Sequence, residues 1–300
     1  MGGAAGAGYS TRIKDYELLS QIGGVDDLSF LYLARHIPTR ELVALKYTDL
    51  TISPDFELVE EVIHTIHITT HLSHPVLLPY RTSFVDADRL WSVTLPIRGG
   101  SCRQIMREYF PDGFGFKESV VATIVREIVR GVQYMHASHV LHNDIRASSI
   151  LLSHTGAVLL TGLHAARPLL TSGLLHRSTF IPVGDNHEHA APEIVAQGRR
   201  VGMPADVYSI GHTAVELAFG KTGFDGWPSC KILLCKLADE CPAPDVGTGI
   251  GKGMSYEFWM FVECCTRRDP KKRPTTTELL EHPFLAMARD AKHVQKYVLK

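Results

Sequence analysis

Three hundred residues are long for one small domain and suit one large domain or two lobes sharing a cleft. A hydrophobic fraction of 45% with 21% charged residues describes an ordinary globular chain with ample core. A net charge of −1 supplies no field that would recruit nucleic acid or a membrane surface.

Residues 1–12 are rich in Gly and Ala and are expected to be disordered. From Tyr16 to about Val93, YELLSQIG, FLYLAR, LVALKYTDL and LWSVTL read as short strands broken by turn signals. One helix, about Asp55 to Leu72, interrupts them. After Pro96 the pattern changes. Val121, Ile124, Ile128, Val132 and Met135 recur at three- and four-residue spacing, the apolar face of a long buried helix. Further helices are expected near Val207–Phe219, Ser229–Leu237, Tyr256–Cys265 and Thr276–His282. The expected class is α+β, with a β-rich N-lobe over 13–95, a helical C-lobe over 96–285 and a tail over 286–300.

The six cysteines form no CxxC pair, and no secretory leader or apolar run of about 18 residues is present. A reduced cytoplasmic or nuclear setting follows. Gly6 stands where a myristoylation signal wants Ser or Thr.

The chemistry-bearing stretches come in a definite order. Val43–Lys46 reads VALK on the third strand, where a lysine supplies a fixed positive charge for phosphates. HNDIRASSILL, from His142 to Leu152, places Asp144 where a catalytic base would sit. Ala191–Glu193 reads APE, Asp206–Gly211 reads DVYSIG, and Arg267–Thr275 reads RRDPKKRPT. Together, spread over most of the chain, they resemble the protein kinase landmarks. That resemblance implies a bilobal fold in which Glu193 and Arg273 form a buried ion pair and Asp206 serves the framework.

The departures cluster at the reaction centre. A Gly-rich loop reduced to GGVDDLS keeps Gly23 and Gly24 and brings in Asp26 and Asp27, whose charge opposes phosphate. A plain acidic hairpin without ligand is the competing reading. The glutamate expected to pair with Lys46 aligns with Thr65; Glu61, one turn earlier, is the alternative, and an unpaired Lys46 is the simpler expectation. Ser149 replaces the magnesium-binding asparagine, and Gly162-Leu163-His164 replaces D-F-G, so the main metal carboxylate is missing. Asn143 stands where an arginine would receive an activation-segment phosphate, and Arg146 where a lysine would.

Phosphoryl transfer depends on positioning and on charge neutralisation by Mg²⁺. A unit-charge contact near a protein surface is worth on the order of 4 kcal/mol at about 4 Å. Its loss from the transition state costs roughly a thousandfold in rate. Efficient phosphotransfer is therefore not expected, and Asp144 reads as a remnant.

YELLSQIG, LARHIPTRELVALK, HPVLLPYRTSF, IRASSILL followed by LLTGL, and DVYSIGHTAVELAFG resemble the STRAD pseudokinases. The resemblance implies an allosteric activator or adaptor that binds ATP, without need for magnesium, and presents an active-like shape to a client serine/threonine kinase. The nucleotide would be met by Gly23, Gly24, Leu31, Ala44, Lys46, Thr94, Leu95, Ile97 and Leu151, and the client by residues 165–190. An armadillo-repeat scaffold is a further implied partner, although the family's Trp-Glu-Phe tail is not in the closing QKYVLK, and Asp144 is retained where the family pattern has lost it. Two alternatives stand beside this one: a weakly active kinase using Asp144 with an atypical metal site, and a nucleotide-free scaffold.

Other features are expected to be structural. His64, His67, His71 and His74 share a helix face without accompanying carboxylates, so no structural metal is expected. Asp112–Gly115 precedes Asp144 and reads as a loop. Cys264-Cys265 reads as core, and His187-Glu188-His189 lacks metalloprotease spacing.

Overall fold

The computed structural model describes residues 8–25, 29–49, 66–110, 115–175, 183, 186–197, 201–238 and 253–299. The chain divides into two compact units, one of residues 1–73 and 78–97, the other of 74–77 and 98–300.

The first unit is built on one antiparallel sheet. Its strands are β1 (Tyr16–Val25), β2 (Ser29–His36), β3 (Leu42–Asp49), β4 (Tyr80–Asp86) and β5 (Arg89–Thr94), in the order β1-β2-β3-β5-β4. Alternation along the strands separates two faces. One buries Tyr16, Ala34, Val43, Leu45, Phe84, Trp91 and Val93 in a single cluster, with Ile13 and Tyr9 packed against it. The N-terminal expectation is corrected here: over residues 8–12 the chain is fastened down, because Tyr9 donates to Glu41 at 2.6 Å and Tyr16 donates to the Ser10 carbonyl at 2.6 Å. Residues 1–7 lie outside the described residues. Helix α1 is described over residues 66–71.

The second unit is organised around α3 (Glu118–Ala137), preceded by α2 (Cys102–Tyr109). Val121, Ile124, Ile128, Val132 and Met135 are all buried, as their spacing requires. Short strands follow: β6 (Val140–Leu141), β7 (Ile150–Leu152), β8 (Val158–Leu160) and β9 (Arg167–Pro168), paired as β6-β9 and β7-β8. Then come α4 (Pro192–Val195), α5 (Pro204–Phe219), α6 (Ser229–Ala238), α7 (Tyr256–Cys265), α8 (Thr276–Leu280) and α9 (Pro283–Ala286). Helix α5 starts at a proline and stops at Gly220, which takes φ +71° and returns its N–H to the Glu216 carbonyl. Gly211 lets α7 approach: a Cβ there would lie 2.7 Å from the Cys265 Cβ.

The expected tail is a packed element. Helix α10 (Ala291–Val298) is capped by the Asp290 side chain and buries Val294 and Val298. Ser119 on α3 meets His293 Nε2 at 2.9 Å, and Arg126 holds the Ala288 and Arg289 carbonyls. Gly156 touches α10 so closely that a Cβ would sit 2.0 Å from the Ala291 carbonyl oxygen.

Candidate functional site

In the first unit, strand register sets the geometry. Leu31 pairs with Gly23 on β1 and with Lys46 on β3, and Lys46 pairs onward with Ser92. Two residues along, Ala44 pairs with Leu33 and Thr94. Directly paired residues and their i+2 neighbours share a sheet face. Leu31, Ala44, Lys46 and Thr94 therefore lie on the face opposite the Tyr16–Trp91 cluster. Gly23 and Gly24 are ladder residues of β1, facing Leu31 and Phe30. A Cβ on Gly23 would meet the Leu31 side chain at 3.7 Å, an ordinary contact, so among the described residues no clash demands glycine there. Lys46 has an interaction partner, which corrects the expectation of an unpaired lysine. Asp26, Asp27, Glu61, Thr65, His64 and 112–114 lie outside the described residues. Leu95 and Ile97 follow β5 and close the first unit.

The remaining site residues belong to the second unit. His142, Asn143, Asp144 and Ser149 lie between β6 and β7, and Gly162 follows β8, which pairs with β7. Leu151 sits on β7, opposite Leu159. Asp144 is 4% exposed, and both its carboxylate oxygens are engaged within the loop. The Ser149 hydroxyl donates to Oδ2 at 2.8 Å. Arg146 Nε stands 2.8 Å from Oδ1 as a charge contact whose N–H is not aimed along a hydrogen-bond line. Gly162 adopts φ +92°, the left-handed region that glycine enters freely. A Cβ there would lie 2.8 Å from Asp144 Oδ2 and 3.1 Å from Ser149 Oγ. The two replaced metal positions and the retained aspartate are thus one contact group. Ser149 occupies an Asp144 lone pair, and position 162 brings no oxygen.

Behind this loop the framework is charged and fully partnered. Asp206 is 0% exposed and accepts from the backbone N–H of His142 and Asn143, at 2.9 and 2.8 Å, and from His136 Nε2 at 2.8 Å. Burial pushes its carboxyl up, but the His136 hydrogen bond, the nearby imidazoles and the His142 N–H outweigh that and leave it below the usual range. Asn143 is held at φ +66° by this arrangement. Arg273 grips Glu193 in a two-point bridge of 2.6 and 2.9 Å and also donates to the Pro204, Arg267 and Arg268 carbonyls.

Glu216 on α5 was not singled out by the sequence reading. It accepts from the Ala147 N–H at 2.8 Å, from Arg103 at 3.0 Å and from His189 Nε2 at 2.9 Å. Burial raises its carboxyl, yet those three partners bring it down to about 2. The second acid of α5, set among Ala214, Val215, Leu217 and Ala218, was the available signal, since a buried carboxylate must have partners. The histidines on α1 make local contacts: His71 Nδ1 is 2.7 Å from the His67 carbonyl, and the two rings stand 4.4 Å apart. His74 stacks on Tyr134. Among the described residues no cluster of three or more His, Cys, Asp or Glu is arranged to hold a metal ion, and no helix is long and apolar enough to cross a membrane.

This geometry coincides with a family match. The protein kinase domain profile matches residues 16–285. The chain belongs to the protein kinase family. Within it the chain is STRAD-like, 30% identical to the mouse STE20-related kinase adapter protein beta over 94% of this chain and 77% of that protein. The human STE20-related kinase adapter protein alpha is 29% identical over 90% of this chain and 72% of that protein. The serine/threonine-protein kinase fray2 of Dictyostelium discoideum is 34% identical over 97% of this chain, which spans only 27% of the length of fray2. Relatives named adapters and a relative named a kinase are thus both similar to this chain along most of its length.

Proposed function

We propose that this protein is an adaptor that activates a client serine/threonine kinase by binding it, with ATP as a conformational ligand and no efficient phosphotransfer of its own. The observation that carries the reading is the closed Asp144–Ser149–Gly162 group. The base position is engaged by its own loop, and neither metal position supplies the ligand the chemistry needs. ATP would lie against the Leu31, Ala44, Lys46 and Thr94 face, with Leu95 and Ile97 completing its contacts in the first unit. Such binding is supported by the register that brings those side chains of β2, β3 and β5 to one face. Cytoplasmic or nuclear residence and contact with an armadillo-repeat scaffold belong to the same proposal.

A second reading, a slow kinase, is favoured by the similarity to fray2 and by the retained Asp144. One set of assays separates them. The purified chain is tested for labelled-phosphate transfer with ATP and Mg²⁺ beside Asp144→Asn, and for thermal stabilisation by ATP in EDTA. The adaptor reading expects background transfer from both proteins, stabilisation by ATP in EDTA, and higher activity of a co-purified kinase in the chain's presence. Transfer that Asp144→Asn abolishes would establish the slow kinase instead. No stabilisation at millimolar ATP would leave a nucleotide-free scaffold.

A further inference from the structure

Residues 186–190, Asn-His-Glu-His-Ala, lie just ahead of α4, in the segment expected to meet a client. Each of them is tied to another part of the second unit. Asn186 Nδ2 donates to the Asn143 carbonyl at 2.9 Å, joining the segment to the catalytic loop. Glu188 accepts from the Thr222 hydroxyl at 2.5 Å. His189 meets Glu216 through its ring, and its carbonyl accepts from Ser209 at 3.0 Å. His187 Nε2 lies 3.2 Å from the Ser229 hydroxyl on α6.

The centre of this fastening is Lys236 on α6. Its side chain is completely buried, and its ammonium donates to the carbonyls of His187, Glu188 and Ala190 at 2.8, 2.8 and 2.6 Å. An ammonium has three N–H donors, enough to meet each of these three carbonyls. The Tyr208 and Phe224 rings stand 5.3 and 5.1 Å from the same nitrogen, adding their faces to its surroundings. A buried cation facing converging carbonyls fixes backbone direction, because any displacement of the segment would strip a charge of its acceptors.

We infer that Lys236 is a positioning residue that holds the 186–190 segment in one shape by permanent charge, with no phosphoryl group needed. Asn143 is uncharged and offers the segment only a carbonyl, so the cation that organises it comes from α6 instead. The inference rests on contacts inside one unit, and its readout needs no client, so it stands or falls separately from the adaptor proposal.

Hydrogen exchange followed by mass spectrometry on the full chain tests it. The amides of His189 and Ala190, which donate to the Asn186 carbonyl, report the segment's opening. Wild type should show the same protection before and after phosphatase treatment. Lys236→Met should speed exchange over 186–190 by about a hundredfold while α3 keeps its protection, and Lys236→Arg should restore part of the loss. If Lys236→Met does not fold, Thr222→Val should give about a tenfold loss confined to the same residues. Free-peptide exchange at 186–190 in wild type would overturn the inference. So would protection that phosphatase removes, or a Lys236→Met loss spread evenly over the unit.

Discussion

Two buried aspartates, 62 residues apart in numbering, show what this chain kept and what it changed. Asp206 holds main-chain N–H groups of the loop, so it sets where the backbone goes. Asp144 is held by side chains of the same loop, a serine hydroxyl and an arginine, and so ties that loop to itself. The same division runs through the second unit. The groups that grip the backbone, Asp206, Glu216 and Arg273, are fully partnered. The positions that would bring metal, Ser149 and Gly162, are neutral. A kinase shape is therefore maintained by carboxylates aimed at peptide groups, and it survives the loss of those aimed at a metal.

That division can be broken most forcefully at Arg273. Its side chain is fully buried against Glu193, and Arg273→Ala leaves a largely buried carboxylate and three carbonyls without their donor. A loss of about 3–5 kcal/mol in urea denaturation is expected.

Acid should come next. The Glu216 carboxyl, at about 2 when folded, stays ionised while the unfolded chain takes up a proton below about 4.5. Stability is thus present above that range and lost as pH falls toward 2, by on the order of 3 kcal/mol from this group. The depressed Asp206 carboxyl acts in the same sense. His142 and His212, kept neutral chiefly by burial, begin the decline earlier, because the unfolded imidazoles protonate below about 6.5 while the folded ones do not. Denaturant midpoints measured from pH 8 to pH 3 should fall in two stages, and a flat profile would refute the assignment.

Rebuilding the metal positions should give a smaller effect. Gly162→Asp forces a side chain into a left-handed backbone and against Asp144, so about 1–2 kcal/mol of stability should be lost. The Ser149→Asn/Gly162→Asp double variant should still transfer phosphate only at background, because the new carboxylate enters against Asp144, whose Oδ2 lies 2.8 Å from a Cβ at position 162. The smallest change is expected for Asp144→Asn, which keeps an acceptor for Ser149 and should cost only about 1 kcal/mol in the same denaturation assay.

Much of this was legible in the sequence because it depends on periodicity and order. The α3 face, the helix bounds at Tyr256–Cys265 and the Glu193–Arg273 bridge follow from spacing and landmarks along the chain. The missed residues owe their roles to distance in space. Lys236 sits in SCKILLCKLA as one of two lysines, and sequence alone does not say that three carbonyls from residues 187–190 converge on it. Asn186 and His189 look like ordinary loop residues until α5 and the catalytic loop are placed beside them. Gly162 was recognised as a lost carboxylate, but the closeness of Ser149 and Asp144 that makes the loss hard to reverse appears only in three dimensions.

Helix α10 has a consequence for reading variation in this protein. The kinase profile ends at residue 285, yet Gly156 and Gly99, well inside it, are pressed against what comes later. A methyl group at Gly156 would strike Ala291, and one at Gly99 would crowd Leu299 as well as Leu152. Substitutions at these two glycines would look like damage to a turn and to a connector, whereas each also unseats the chain's last helix. The limits of the recognisable family and of the cooperative folded body do not coincide here, and a change on one side of residue 285 is felt on the other.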